Sequence, residues 1–266
     1  MNTMFPYNYP QTPGKTPGDP TSLLPVQTFK TIGDEMTAAS VSWKWYAGGL
    51  NNAHAGTPDS TYQAHHQAPL FFANYAPGTP GAQHVADESA FLTDLASGNL
   101  PAVSFVKNLG ANNEHPGYTN LLTGQMYTAN LVNQIMMSPV WKDALVMIFY
   151  DEAGGHYDHV PPVPVDRWGP STRVPALIVS PWAQHGVVDH TNYEVVSILS
   201  TIEARFGLAP LGSRDAAAAP FYGALNFNQP VAQAMARRPL NIEQAPPPPP
   251  KPFSRTGHYP VTELDD

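Results

Sequence analysis

The stretch that decides the fold reads DALVMIFYDEAGGHYDH over residues 143–159. Its apolar run from Ala144 to Tyr150 does not alternate, which is typical of a strand buried on both faces of a parallel sheet. Two adjacent carboxylates, Asp151 and Glu152, follow at once, and ligands bind at the carboxyl ends of strands in open α/β sheets. The pair therefore indicates a site for a cation with oxygen ligands, with a purely structural acidic turn as the alternative.

Composition limits the classes of protein and partner. The chain has 266 residues, of which 42% are hydrophobic and 13% charged, as expected for a globular protein. The net charge is -8 and no Lys/Arg cluster occurs, so we expect nucleic acid not to be a partner. Cysteine is absent, which excludes disulfides and thiolate metal sites. No leader and no apolar run of about 18 residues is visible, so we expect no integral membrane segment, and the compartment stays unknown.

Helical and strand patterns alternate along the chain. The predicted strands cover residues 41–46, 100–106, 144–150 and 174–180, and the predicted helices cover residues 31–39, 87–97, 119–137 and 191–206. This alternation predicts an α/β fold with a mostly parallel sheet covered on both faces. We divide the chain into an extended Pro/Gly-rich lead (1–27), one α/β domain (28–240) and a Pro-rich tail (241–266).

Three predicted strands lead into polar turns that carry carboxylates and imidazoles. The turns hold Glu114-His115, Asp151-Glu152 and Asp189-His190. If the strands are parallel, the turns share one edge of the sheet, where they suit a divalent cation and a transferring anionic group. We expect Asp151 and Glu152 to bind the metal. His115 is either a substrate contact or a turn scaffold.

A fourth group of candidates lies in a long irregular segment. His65 and His66 stand among aromatic residues between Leu50 and Val85, where long loops are often functional. The two imidazoles are suited to contact oxygens that carry developing charge. The alternative is that they pack in the core of the loop.

Several motifs, in this order along the chain, resemble one known family. They are Thr31–Gly49, His65-His66-Gln67, Phe72-Ala73-Asn74-Tyr75, Leu100–Val106, Asn113-Glu114-His115-Pro116-Gly117, Tyr150-Asp151-Glu152 with Gly154-Gly155, Asp158-His159-Val160, Arg173-Val174-Pro175, Ser180-Pro181, Val188-Asp189-His190-Thr191 and Gly212-Ser213-Arg214-Asp215. The set resembles the bacterial phosphoesterase family of acid phosphatases and phosphatidylcholine-type phospholipases C, which belongs to the alkaline phosphatase superfamily.

The resemblance implies a three-layer α/β/α sandwich and metal-dependent hydrolysis of phosphomonoesters or phospholipid head groups. It implies that Asp151 and Glu152 bind a divalent metal ion of unknown identity. It also implies that His115, and His65 or His66, contact the phosphoryl group. Relatives of this type are periplasmic or secreted.

The sequence also departs from the family pattern. Family members begin with a strand and a segment whose Glu-Asn pair completes the metal site, followed by a nucleophilic Ser or Thr, and no Glu-Asn pair occurs here. We therefore expect a fold that is incomplete on its amino-terminal side, lacking the nucleophile. The alternatives are a catalytically inactive remnant or an anion-binding module of the same fold. An incomplete sheet would also expose strand edges, so the expected partners include a second copy of the chain or a missing amino-terminal half.

Overall fold

The computed structural model describes residues 5–7, 23–236 and 239–240. Its strands are β1 (Phe5–Pro6), β2 (Leu23–Leu24), β3 (Trp43–Ala47), β4 (Val85–Asp87), β5 (Val103–Lys107), β6 (Val146–Phe149) and β7 (Ala176–Val179). Its α-helices are α1 (Ile32–Ala38), α2 (Leu50–His54), α3 (Glu88–Ser97), α4 (Leu121–Met137), α5 (Ser197–Phe206), α6 (Ser213–Ala217) and α7 (Val231–Ala234).

The central sheet has the order β4-β3-β5, and both pairings are parallel. In β3, Trp43 and Trp45 point to one face and Tyr46 to the other, as the alternation of a strand requires. Trp45 stacks on its β5 partner Phe105, with ring centroids 5.3 Å apart. This pairing fixes the register, because a slip by one residue would turn every side chain to the opposite face.

Helices cover both faces of this sheet. On the Tyr46 face, α3 contributes Phe91 and Leu95, and α4 contributes Val132 and Met136 to the same buried cluster. A separate cluster on the Trp43 face joins Trp43 to Met36 of α1 and Ile202 of α5. The prediction of an α/β fold with a mostly parallel, doubly covered sheet is therefore confirmed.

Strands β6 and β7 form a separate pair that is antiparallel. The expectation that the strand before Asp151 is buried on both faces of a parallel sheet is wrong, because among the described strands β6 pairs only with the antiparallel β7 and none of its residues is fully buried. The expectation of a parallel direction is wrong for β7 too, because its carboxyl end lies beside the start of β6, where the Ser180 hydroxyl donates to the Ala144 carbonyl. The expectation that residues 174–180 are buried is also wrong, because Leu177 is 61% exposed. An apolar run looks the same in either strand direction, since pairing is decided by distant residues.

Short-range signals locate several helix ends correctly. Thr31 and Asp34 form a capping box at the start of α1, and the Asp87 side chain caps α3. Gly98 and Gly207 adopt left-handed conformations directly after α3 and α5. The predicted helix start at 191–192 is wrong, because α5 begins only at Ser197.

The segment between α2 and β4 consists mainly of short 3-10 helices, at Ala64–His66, Ala68–Phe71, Ala73–Tyr75 and Pro80–His84. Most of the predicted lead and the whole predicted tail, 241–266, lie outside the described residues. The division into lead, domain and tail therefore stays a prediction.

Candidate functional site

The carboxyl ends of β5 and β6 meet through an ion pair. Lys107, the last residue of β5, places its Nζ 2.6 Å from Oδ2 of Asp151, which follows β6. In the same region, the Tyr150 hydroxyl donates to the carboxylate of Glu114, which comes from the turn after β5. The Glu114-His115 and Asp151-Glu152 turns therefore meet in the structure, although their strands belong to two sheets and not to one parallel sheet as expected.

The His65-His66 turn is tied to the end of β3. The indole Nε1 of Trp45 donates to the carbonyl of His66 at 2.8 Å, and the amide of Gln67, which is fully buried, donates to the carbonyl of Ala47. The two imidazole rings lie 4.6 Å apart, edge to face. The turn is therefore fixed to the same sheet edge that carries Lys107.

The electrostatics of the two histidines place them in the same site. Burial, followed by the charges of Lys107 and His65, lowers the pKa of His66 to about 3 against an opposing effect of Asp151. The pKa of His65 is lowered by burial and then by Lys107, and Asp151 opposes this shift. Both rings are therefore neutral near pH 7, each with one donor and one acceptor nitrogen. Nδ1 of His65 is buried and has no hydrogen-bond partner among the described residues.

His115 is held in one orientation by its own turn. Its backbone N–H donates to the Asn113 side chain, and its ring stacks on Tyr118 with centroids 4.3 Å apart. Nδ1 lies 2.7 Å from the Pro116 carbonyl, which can only accept, so Nδ1 carries the hydrogen. Nε2 is left to act as a proton acceptor in the neutral ring or as a donor in the protonated one. The charge of His115 also contributes to the lowered pKa values of both histidines at 65 and 66.

The turn after Asp151 depends on two glycines. Gly154 and Gly155 have φ values of 60° and 78°, in the left-handed region that suits glycine. A Cβ on Gly155 would meet nothing within 4 Å, so positive φ, rather than close approach of the backbone, explains this glycine. The turn directs the Glu152 carboxylate onto the Gly154 amide, at 2.6 Å.

The predicted metal ligands are only part of a metal site. Two adjacent carboxylates suit a hard cation, but Asp151 is paired with Lys107 and Glu152 with a backbone amide. Within the ranges 5–7, 23–236 and 239–240, no three His, Cys, Asp or Glu side chains are arranged to hold a metal ion. A divalent cation takes four or more ligands. The described donor set is therefore incomplete, and we derive no chemical step through a metal.

Lys107 is the site residue that sequence reasoning missed. A single lysine at the end of an apolar strand belongs to no recognisable motif. Its position indicates only that the strand ends at the solvent-exposed surface. Burial by itself would raise the pKa of Asp151. The charge and the hydrogen bond of Lys107 oppose this effect, and the pKa of Asp151 is lowered below its ordinary value. No hydrogen bond or ion pair between described residues joins the third predicted turn to the site: Asp189 instead accepts from Thr191 and Tyr193 before α5.

A buried carboxyl lies behind the site. Glu88, the first residue of α3, is 5% exposed and accepts from the backbone N–H of Leu109, in the segment that leads from β5 to His115. Burial raises its pKa to about 7, against hydrogen bonds from Tyr127 and Leu109 that lower it. The protonation state of Glu88 is thus coupled to a segment that carries a site residue.

The fold and the site together define a class of protein. A doubly covered parallel sheet carries a lysine at the carboxyl end of β5, three imidazoles lie in turns beside that end, and the carboxylate pair that follows β6 meets them there, as in α/β proteins that bind anionic groups. The profile of the Phosphoesterase family matches residues 12–209, which is more than half of the chain. The chain belongs to the Phosphoesterase family.

Curated proteins of plants and bacteria are similar to parts of this chain. The non-specific phospholipase C6 of Arabidopsis thaliana is 35% identical over 164 residues, which cover 49% of this chain and 31% of that protein. The phospholipase C B of Mycobacterium tuberculosis is 27% identical over 261 residues, covering 82% of this chain and 48% of that protein. The non-hemolytic phospholipase C of Burkholderia pseudomallei is 29% identical, covering 67% and 32%. The chain thus spans less than half the length of these relatives.

Proposed function

We propose that this chain carries the phosphoryl-binding part of the active site of a phosphoric ester hydrolase. The observation that supports the proposal best is the arrangement of Lys107, Asp151 and the imidazoles of His65, His66 and His115 around the ends of β3, β5 and β6. Phosphoryl transfer asks a protein mainly to position the group and to stabilise its charge. A lysine and three imidazoles suit that task.

Each residue has a distinct role in this proposal. Lys107 donates to the non-bridging oxygens of the phosphoryl group as a compact point charge. The neutral rings of His65 and His66 donate one N–H each without adding charge. His115, oriented through Nδ1, uses the protonated Nε2 to donate a proton to the leaving-group oxygen as the P–O bond breaks. Asp151 orients Lys107 through their ion pair.

We further propose that Asp151 and Glu152 contribute two ligands to a divalent cation that assists the reaction. Such an ion would neutralise charge on the phosphoryl oxygens. The adjacent carboxylates support this proposal, and the missing third ligand among the described residues limits it to a partial site.

The substrate class stays open between phosphomonoesters and phospholipid head groups, although relatives named as phospholipases C favour the second.

A second candidate function is binding of phosphoesters without hydrolysis. It is favoured by the same incomplete donor set, since the described residues supply the phosphoryl contacts more fully than the metal contacts. The two functions predict the same affinity for a phosphate group and differ only in turnover.

The experiment measures hydrolysis of p-nitrophenyl phosphate and of p-nitrophenyl phosphorylcholine by the purified chain, with and without added divalent cations. We expect His115→Ala and Lys107→Ala to reduce strongly any turnover of these substrates and the affinity for inorganic phosphate, which titration calorimetry measures. His54, which is exposed at the end of α2, provides the matched control His54→Ala. Equal phosphate affinity and equal turnover for wild type and all three variants would refute the assignment of the site, whereas phosphate binding that His115→Ala and Lys107→Ala weaken, without turnover, would establish the second candidate instead.

A further inference from the structure

The segment that continues from the Asp151-Glu152 turn exposes an unusual amount of apolar surface. We call residues 157–169 the apolar loop. The exposed fractions of its large side chains are 91% for Tyr157, 76% for Val163, 61% for Val165 and 76% for Trp168. Single apolar residues scattered over a surface are common and need no explanation. Four such exposed side chains within thirteen residues are a cluster, which indicates an interaction surface.

The apolar loop is anchored at its base and at its tip. Asp158 forms a two-point ion pair with Arg173, whose Nε and Nη2 both lie 2.8 Å from its carboxylate oxygens. At the tip, the Val165 N–H donates to the Gly169 carbonyl, and Asp166 pairs with Arg214 of α6 at 3.4 Å. The apolar side chains are therefore displayed on a braced segment.

The charges of the loop indicate what kind of surface it fits. Both of its carboxylates pair with arginines outside the loop: Asp158 with Arg173, and Asp166 with Arg214, which also pairs with Glu194 at 2.7 Å. Arg167 has no carboxylate partner among the described residues, and its guanidinium lies 4.3 Å over the ring of Trp168. An indole with an adjacent guanidinium matches the boundary of a bilayer, where Trp sits at head-group level and Arg extends towards phosphate.

We infer that the apolar loop docks the protein on a phospholipid surface, with Trp168 and Val163 inserted at the interface and Arg167 on a lipid phosphate. This inference rests on the proposed function and deepens it, because it selects phosphoesters presented on a lipid surface as the substrate class. A second protein copy fits less well. A stable protein interface buries roughly 800 Å² per partner on a surface of matching shape, whereas a fluid lipid interface needs no matching shape.

The net charge of -8 determines the lipid dependence. Because the whole chain is acidic, anionic lipids repel it, and docking by insertion of apolar side chains is only weakly screened by salt. We therefore expect binding to zwitterionic phosphatidylcholine vesicles, with little change when salt is raised and no gain when anionic phosphatidylglycerol is added.

The test is co-sedimentation of the full chain with phosphatidylcholine vesicles. We expect the double variant Trp168→Ala/Val163→Ser to bind about tenfold more weakly than wild type. The matched control Phe227→Ala/Val231→Ser removes side chains that are 66% and 64% exposed elsewhere and should bind like wild type. Arg167→Glu should weaken binding, whereas Arg205→Glu, which changes another arginine that lies over a neighbouring aromatic ring, should not.

Three results would overturn the inference. They are wild-type chain that stays in the supernatant, a loop variant that binds like the control, and an oligomer that the loop variant converts to monomer in size-exclusion chromatography. Hydrolysis of p-nitrophenyl phosphate, a soluble substrate, is measured in parallel. Docking without turnover contradicts only the proposed hydrolysis, and turnover without docking contradicts only the lipid surface.

Discussion

Lys107 and Asp151 connect two strands that belong to different sheets. The ammonium of Lys107 ends β5, the carboxylate of Asp151 follows β6, and the 2.6 Å between them bridges the end of the central sheet and the end of the β6–β7 pair. This ion pair therefore places a positive ammonium and a negative carboxylate together at the proposed phosphoester site.

Lys107→Ala should lower the rate of phosphoester hydrolysis by about 100-fold to 1,000-fold, the range for loss of one group that stabilises developing charge. The measurement is kcat/KM with p-nitrophenyl phosphate. Lys44→Ala is the matched control, because Lys44 forms a similar 3.0 Å ion pair with Asp94 on the face of β3 that packs against α3. A comparable loss in both variants would indicate damage to the fold.

Asp151→Asn and Glu152→Gln should each abolish binding of a divalent cation, since each removes one of the two proposed carboxylate ligands. Isothermal titration with Mn²⁺, Mg²⁺, Zn²⁺ and Ca²⁺ measures this directly. Asp143→Asn changes a carboxylate that is 80% exposed before β6 and should leave the titration unchanged. Wild-type heats that persist in Asp151→Asn would rule out this residue as a ligand.

The imidazole of His66 should stay neutral from about pH 5 to about pH 8, because burial and Lys107 lower its pKa to about 3. The measurement is an NMR titration of the ring C–H signals, assigned by their loss in His66→Gln. We expect the chemical shifts to stay constant over this range. A sigmoidal change centred near the ordinary histidine pKa would show that the ring is more hydrated and further from Lys107 than in the structure.

The buried carboxyl of Glu88 should make the protein less stable as the pH rises from about 4.5 to about 7. Its folded-state pKa of about 7 exceeds the ordinary value of 4.5, so in this window the folded chain keeps a proton that the unfolded chain releases. The free energy of unfolding therefore falls through the window and levels off above it. Glu203, whose pKa burial also raises to about 7, contributes with the same sign.

Glu88→Gln removes this ionisation and keeps an oxygen acceptor for the Leu109 N–H. We expect its Tm near pH 8 to exceed that of wild type by about 2–4 °C, the shift that about 1 kcal/mol produces in a domain of this size. Thermal unfolding followed by circular dichroism at several pH values measures the effect, with Asp143→Asn as the control. A Tm difference that is the same at low and high pH would contradict the titration of Glu88.

Local signals predicted much of the site. The apolar run before Asp151, the caps at Thr31 and Asp87, and the glycines after α3 and α5 all depend on residues close in sequence. The Glu114-His115 and Asp151-Glu152 turns meet as expected, but they meet across two sheets, whereas the prediction placed their strands in one parallel sheet. The histidine pair at 65–66 is a candidate both from its long irregular segment and from the family resemblance.

Long-range features could not be predicted in this way. The direction of β7 depends on pairing with β6, and a run such as Ala176–Val179 gives no information on that choice. Lys107 became a site residue only through Asp151, 44 positions away. The late start of α5 reflects the segment before it, where Asp189 binds Thr191 and Tyr193 instead of beginning a helix.

The last residues of β3 hold two arms of the site at once. Trp45 and Ala47 bind the histidine turn, and the amide of Gly48 donates to the carbonyl of Lys107. Fraying of this one corner would release the imidazoles and the ammonium together while the helical layers stay assembled, because local openings require less free energy than global unfolding. On heating, the protein should therefore become inactive before it melts, and amide hydrogens at this corner should exchange earlier than those in the middle of α4.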